Sequence, residues 1–239
     1  MKHGEARFLS CMYVLSLALL MVFAINGLRQ TSTVSTVEEK KHLIILDAGH
    51  GGTDGGASGA DGTKESDLNL AITMKTDAVL GLLGENTLLV RNMDTDLSDD
   101  TAKSISQKKV SDIRNRVSLV NAQPEGLLVS IHCNTYSETK YHGAQVFYNS
   151  VGDSKVLAQT IQENIRLHLD SSNLRESKKI SPDVYLMRHI EVPGVLVECG
   201  FLTNPEELQS LKSEAYQKRL AVTIAVTILN HLSEDTSGV

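Results

Sequence analysis

The chain has 239 residues, a formal net charge of −6 and a pI near 5.7, the size of one α/β domain or of one domain with an appendage. Charged residues make up 22% and hydrophobic residues 41% of it, which excludes wholesale disorder, and the acidic balance argues against nucleic acid as a partner. With no Trp a broad aromatic platform is not expected, and three cysteines, Cys11, Cys133 and Cys199, exclude a disulfide-stapled scaffold and a four-Cys zinc site.

Lys2 and Arg7 precede an apolar run from Phe8 to Leu28. A positive flank followed by a hydrophobic stretch is the pattern of an export signal or a membrane anchor, and this run is long enough to cross a bilayer as a helix, for which roughly 20 residues suffice. Its length and its poor small-residue cleavage site favour the anchor. Residues 29–41, rich in Ser and Thr, read as a linker. The folded domain is expected over 42–232, with a short tail at 233–239.

Within that domain, His42 to Asp47 is a short continuous apolar run, as in a buried parallel strand. A glycine-rich loop follows to Gly62. Helical spacing then runs from about Ser66 to Leu83, with Ser66 or Asp67 as N-cap. Thr87 to Arg91 reads as a strand, 92–109 as a polar loop, and Val110 to Asn121 as a helix with Val110, Ile113, Val117 and Val120 on one side. Strands are expected at Leu127–His132 and Ala144–Tyr148, a helix at Asp153–Leu169, short strands at Val184–Met187 and Gly194–Cys199, and a closing helix at Ser213–Leu232. Alternating strands and helices predict a single α/β domain: a mostly parallel twisted sheet flanked by helices. No internal repeat and no separate wall-binding module is expected.

In such sheets, function collects beyond the carboxyl ends of the strands. Three strand ends carry chemistry: Asp47-Ala-Gly-His50-Gly-Gly, Ser130-Ile-His132-Cys-Asn134 and Val197-Glu198-Cys-Gly. Glu65 lies where the glycine loop enters its helix. His50, Glu65 and His132 suit a catalytic zinc with an open position for water, and Glu198 would then be a general acid/base that is not a ligand. A glycine loop after a strand also suits phosphate, yet this one lacks the P-loop Lys and the Gly-x-Gly-x-x-Gly pattern. A single His is more often structural than ligating, so spacing alone leaves the triad open. Cys133 and Cys199 each follow a site residue on a strand, and alternation turns them to the other face as small buried hydrophobes.

Four blocks together carry a resemblance: Ile-Ile-Leu-Asp-Ala-Gly-His-Gly-Gly at 44–52, Glu-Ser-Asp-Leu-Asn-Leu-Ala at 65–71, Ser-Ile-His-Cys-Asn at 130–134 and Val-Glu-Cys-Gly-Phe-Leu-Thr-Asn at 197–204. In this order they resemble the zinc N-acetylmuramoyl-L-alanine amidases of the Amidase_3 family, over about 42–232. The resemblance implies that His50, Glu65 and His132 bind Zn2+, that Glu198 is the catalytic acid/base, and that the substrate is peptidoglycan, cut between N-acetylmuramic acid and L-alanine. Arg91, Asp94, Arg116 and Asn121 also match recurring positions and read as structural; Asn134 is a candidate for orienting the site. The short chain and N-terminal helix look like the sporulation and germination branch, whose members strip stem peptides from spore cortex on the way to muramic-δ-lactam. That places the enzyme outside the cytoplasmic membrane or in the spore envelope and leaves room for an envelope activator protein. With no Trp to stack sugars, substrate grip is expected from polar groups and the glycine-loop backbone. Two rival readings stay open here: a non-catalytic peptidoglycan-binding envelope protein, and a zinc peptidase cutting within the stem peptide.

Overall fold

The computed structural model describes residues 43–236. The expected signal or anchor at 1–28, the linker at 29–41 and the end of the tail lie outside the described residues. Among the described residues no helix is long and apolar enough to cross a membrane.

Six strands form one sheet: β1 (Leu43–Ala48), β2 (Thr87–Leu89), β3 (Gly126–Asn134), β4 (Gln145–Tyr148), β5 (Lys178–Lys179) and β6 (Gly194–Phe201), in the order β2-β1-β3-β6-β4-β5. Every neighbouring pair is parallel except β4 against β6, so the expected mostly parallel sheet is present. Helices α1 (Glu65–Leu82), α2 (Ile105–Asn121), α3 (Ser154–His168), α4 (Tyr185–His189), α5 (Pro205–Lys212) and α6 (Glu214–Thr236) cover it.

The central strands are apolar on both sides because both sides are covered. One face, with Ile44, Leu46, Val129, Ile131, Val195 and Val197, packs against Ile72, Ile161, Leu220 and Ile224 of α1, α3 and α6. The other face, with Ile45, Leu128 and Leu196, meets a smaller apolar layer that includes Val120 and Met187 of α2 and α4. On this second face the strands turn polar towards their carboxyl ends. Asp47 pairs in register with Ser130, and His132 with Glu198, so these side chains share one face.

Four expectations needed correction. Val184–Met187 is not a strand: it lies largely in α4, where Leu186 and Met187 are buried and Arg188 is exposed. A four-residue apolar run is too short to reveal its period. Helix α2 starts at Ile105 rather than Val110, because Ser104 and Gln107 form a capping box: Gln107 N donates to Ser104 Oγ (3.2 Å) and Ser104 N to Gln107 Oε1 (3.1 Å). Val110 is consequently exposed. The closing helix is preceded by α5, capped by Asn204 accepting from Glu206 N and Glu207 N, with Pro205 in its first turn. Helix α1 has neither Ser66 nor Asp67 as its cap. It begins at Glu65, and its first amides donate to the glycine loop: Glu65 N to Ala57 O (2.9 Å) and Ser66 N to Gly55 O (3.1 Å).

One ion pair ties the second helix layer to β1. Arg116 of α2 and Asp47 of β1 are both essentially buried, 2.6 Å apart through Arg116 Nη1 and Asp47 Oδ1. Ser130 Oγ donates to the other Asp47 oxygen (2.6 Å), and Asp112 accepts from Arg116 Nε (2.8 Å). Burial pushes the Asp47 carboxyl up, but Arg116 and Ser130 outweigh it, and the group lies below the usual carboxylate range. A depressed carboxyl stabilises the fold above its unfolded pKa, and that contribution is lost as pH falls.

Removing one partner of a buried pair costs about 3–5 kcal/mol, so Arg116→Met is expected to lose that much in urea unfolding at neutral pH. In the variant the unpaired Asp47 carboxyl is raised instead, which destabilises it as pH rises. The gap between wild type and variant should therefore narrow as pH falls, above about 4 through the variant's raised carboxyl and below it through the depressed wild-type one; a constant gap would mean that Asp47 is not the responsive group.

Candidate metal centre

The first candidate ligand follows β1. Gly49 N donates to Ile131 O (3.0 Å), carrying the β1–β3 ladder one residue further. A Cβ at Gly49 would lie 2.2 Å from the His132 ring, so only glycine lets the two segments approach. His50 then takes the left-handed conformation, φ 60°, alone among the described non-glycine residues. Such a backbone costs of order 1 kcal/mol or more and persists only where surroundings impose it. Here Arg116 Nη2 donates to the His50 carbonyl (2.7 Å). Arg91 donates to the carbonyls of Ala48, Gly49, Ser66 and Met93. Two arginines thus hold the turn, which is the structural role expected of them. Asp94 contributes from outside, accepting from Gly52 N (2.8 Å).

Glu65, the first residue of α1 and 4% exposed, is the hub. Its Oε1 lies 3.0 Å from His132 Nδ1 and its Oε2 lies 3.3 Å from His50 Nε2. Ala57 N (2.9 Å), Cys133 N (3.3 Å) and Asn69 Nδ2 (3.3 Å) donate to the same carboxylate. A Cβ at Gly56 would meet Glu65 Oε2 at 2.5 Å, so this glycine too is dictated by close approach. Burial pushes the Glu65 carboxyl up, but His132 and His50 more than reverse this and hold it well below the usual range. The imidazoles of His50 and His132 sit edge to face, centroids 5.1 Å apart.

These three residues offer donor atoms that all lie within 4.8 Å of one another. On the far side of His50, Nδ1 lies 2.9 Å from Asp54 Oδ2, and Asp54 Oδ1 lies 2.8 Å from Lys109 Nζ. A carboxylate can only accept, so Nδ1 carries the proton and Nε2 is left facing Glu65. Burial works to lower the pKa of His50, yet Glu65 and Asp54 outweigh it and lift it to about 9. A field that strongly holds a proton at Nε2 favours any cation placed there. Two imidazoles and one carboxylate, with one imidazole oriented by a second carboxylate, fit a catalytic zinc site.

Glu198 stands beside the group on β6, opposite His132 in register. Its Oε2 is buried and has no hydrogen-bond partner. Burial lifts the Glu198 carboxyl above the usual range, with His132 pulling the other way. A buried, unpartnered carboxylate oxygen is costly for folding alone and suits a group that exchanges protons. Glu198, His50 and His132 line a common cleft of about 330 Å³, walled by α2 on one side and α4 on the other.

The structure therefore brings His50, His132 and Glu198 to one cleft, with Glu65 buried against both imidazoles. Asn134 ends β3 beyond His132, and its side-chain oxygen accepts from Thr135 N (2.7 Å). Cys133 and Cys199 are buried in the core on the other face, as alternation requires. Sequence reasoning passed over Asp54 and Asn69, which orient His50 and Glu65. Each lies four residues after the group it supports, and that spacing was the available signal.

Residues 44–230 match the family described as N-acetylmuramoyl-L-alanine amidase. The germination-specific N-acetylmuramoyl-L-alanine amidase of Bacillus subtilis (strain 168) is 37% identical over 193 residues, 80% of each chain. Among solved structures, the CwlD amidase from Clostridioides difficile, in complex with the GerS lipoprotein, superposes with a TM-score of 0.77 at 40% identity, covering 81% of this chain and 99% of that one. The N-acetylmuramoyl-L-alanine amidase from Clostridium difficile 630 gives 0.70 at 30% identity, covering 81% and 97%.

Asp54→Ala is expected to weaken Zn2+ binding by about 10–100-fold, as the loss of an outer carboxylate behind a ligating imidazole does. Competition with a chromogenic chelator reads this directly, and unchanged affinity would remove Asp54 from the support of His50.

Proposed function

The chain belongs to the N-acetylmuramoyl-L-alanine amidase family, a family of peptidoglycan hydrolases, and from that premise we propose that it is a zinc enzyme of the spore envelope. It would cut the amide between the lactyl group of N-acetylmuramic acid and L-alanine, freeing stem peptides from cortex so that a separate deacetylase step can yield muramic-δ-lactam. The observation that carries this reading is the grouping of Glu65 with His50 and His132, two imidazoles that share one cleft with Glu198 and its unpartnered oxygen. His50, Glu65 and His132 would hold the metal. Bound there, zinc supplies Lewis acidity for the scissile carbonyl and lowers the pKa of water towards about 7.

The remaining work falls to the chain. Glu198 Oε2 takes the proton of the attacking water, and the raised affinity of that carboxyl for a proton suits it to the task. The same oxygen then delivers the proton to the alanine nitrogen, so that the amine leaves neutral and the lactyl group leaves as a carboxylic acid. Asp54 keeps His50 Nε2 aimed inward, and the Arg91 and Arg116 fork keeps its backbone in place. The germination-specific relative and the CwlD structure support the spore assignment. The complex in that structure also motivates the proposal that an envelope lipoprotein is a partner here. The apolar segment at 8–28 is proposed to hold the enzyme at the membrane or to direct its export.

Glu198→Gln should keep its zinc and its melting temperature while turnover falls by about 10²–10⁴. His132→Ala should instead lose zinc, having lost one of three protein donors. Mass spectrometry of digested peptidoglycan provides the readout: intact L-alanyl peptides plus free lactyl carboxylate are expected. Shortened peptides would make the enzyme a peptidase. A Glu198→Gln protein turning over at the wild-type rate would remove Glu198 from the chemistry.

A further inference from the structure

The cleft has two unlike walls. Helix α2 contributes Lys109 and Asp112 to one, and the chain around α4 contributes Val184, Tyr185 and Leu186 to the other. Tyr185 is 40% exposed, whereas Leu186 and Met187 beside it are buried. Its ring lies against the His189 imidazole, with 3.9 Å between centroids and 24° between planes. His189 Nδ1 in turn lies 2.8 Å from the Tyr185 carbonyl. Asn121 of α2 reaches across: it donates to His189 O (3.0 Å) and accepts from Glu191 N (2.9 Å). The C-terminal end of α4, which carries His189, is thereby fastened to α2. The fold holds an aromatic ring in fixed orientation at the cleft and leaves much of it in water, although burying it would stabilise the core.

We propose that Tyr185 is a substrate-contacting residue whose ring takes the C–H face of the muramoyl sugar, with His189 holding the ring in position. This rests on the amidase reading given above. A muramoyl-peptide has two chemically different arms. The sugar ring presents a flat face of C–H groups, which pack on the electron-rich face of an aromatic ring. The stem peptide is a chain of amides and charged groups, which suits a wall of polar and charged side chains. Tyr185, on the α4 wall, is among the described residues the one tyrosine lining the cleft, with Val184 and Leu186 beside it, whereas α2 presents Lys109, Asp112 and Arg116 next to Ile113. The placement of that ring thus assigns the sugar to Tyr185 and leaves the polar α2 side to the peptide. A chain without Trp can in this way still stack a sugar, on one ring rather than a platform.

The test compares the full-length chain with Tyr185→Ala and Tyr185→Phe on two substrates: a muramoyl-tripeptide and the matching lactyl-tripeptide that lacks the sugar ring. In Tyr185→Ala the preference in kcat/KM for the sugar-bearing substrate should fall about tenfold, mostly through KM, as expected for losing a stacking contact worth about one such factor. Tyr185→Phe should recover it, because the ring and not the hydroxyl makes the contact. Equal losses on both substrates, or no loss on the muramoyl substrate, would overturn the proposal. A second readout needs no turnover: calorimetric titration with a peptide-free muramoyl disaccharide should show the same weakening in Tyr185→Ala, and unchanged affinity would overturn the proposal. A wild-type protein that binds the disaccharide through Tyr185 yet releases no L-alanyl peptide would refute the amidase reading alone.

Discussion

Everything at the cleft is referred back to the buried contact between Arg116 and Asp47. Arg116 spends its guanidinium on Asp47, Asp112 and the carbonyls of Ala48 and His50. One side chain therefore docks α2 on the sheet, neutralises a buried carboxylate and fixes the peptide after which the chain turns left-handed. A planar fork with five donors can do this; a lysine ammonium cannot. Because the pair is buried, its worth lies in geometry more than in net stabilisation, since desolvating both charges offsets much of their attraction.

The second organising element is a surplus of negative charge around two imidazoles. Glu65 is buried at the start of a helix, where the amides of Ala57 and Cys133 and the amide group of Asn69 converge on it. It is kept charged there by His50 and His132, whose nitrogens face its two oxygens. With the His50 Nδ1 proton directed at Asp54, the three side chains leave the His50 Nε2 lone pair facing the Glu65 carboxylate. They become a consistent set when a cation joins them, and this ties the burial of Glu65 to its proposed role. Glu198 is set apart by the same field: no donor reaches its Oε2, so it is the one carboxylate of the group left free to exchange a proton.

Much of this was legible in the sequence. Continuous apolar runs gave β1, β3 and β6, and the site residues stood at their ends, where parallel sheets collect function. What escaped had short or local causes. Helix α4 has only five residues, less than the length over which a period can be read. The Ser104–Gln107 capping box lay inside a stretch read as uniformly polar. The α1 start depends on carbonyls of the glycine loop, a contact made by folding and not by any local cap. Asp54 and Asn69 act through distance and direction, which composition does not carry. Tyr185 was invisible for a related reason: counting aromatics says how many rings exist, not where one is left uncovered.

The two cysteines carry a consequence for the compartment in which such an enzyme works. Cys133 and Cys199 lie one residue past His132 and Glu198, on neighbouring strands, buried on the opposite face. The contact with Cys199, together with burial, pushes the Cys133 thiol well up. Oxidation proceeds through the thiolate and needs access for the oxidant, and this site denies it both. An extracytoplasmic enzyme can thus carry free sulfur directly behind its reactive groups without that sulfur answering to an oxidising surrounding. Burial of both thiols shields the strands that bear His132 and Glu198 from oxidants in solution.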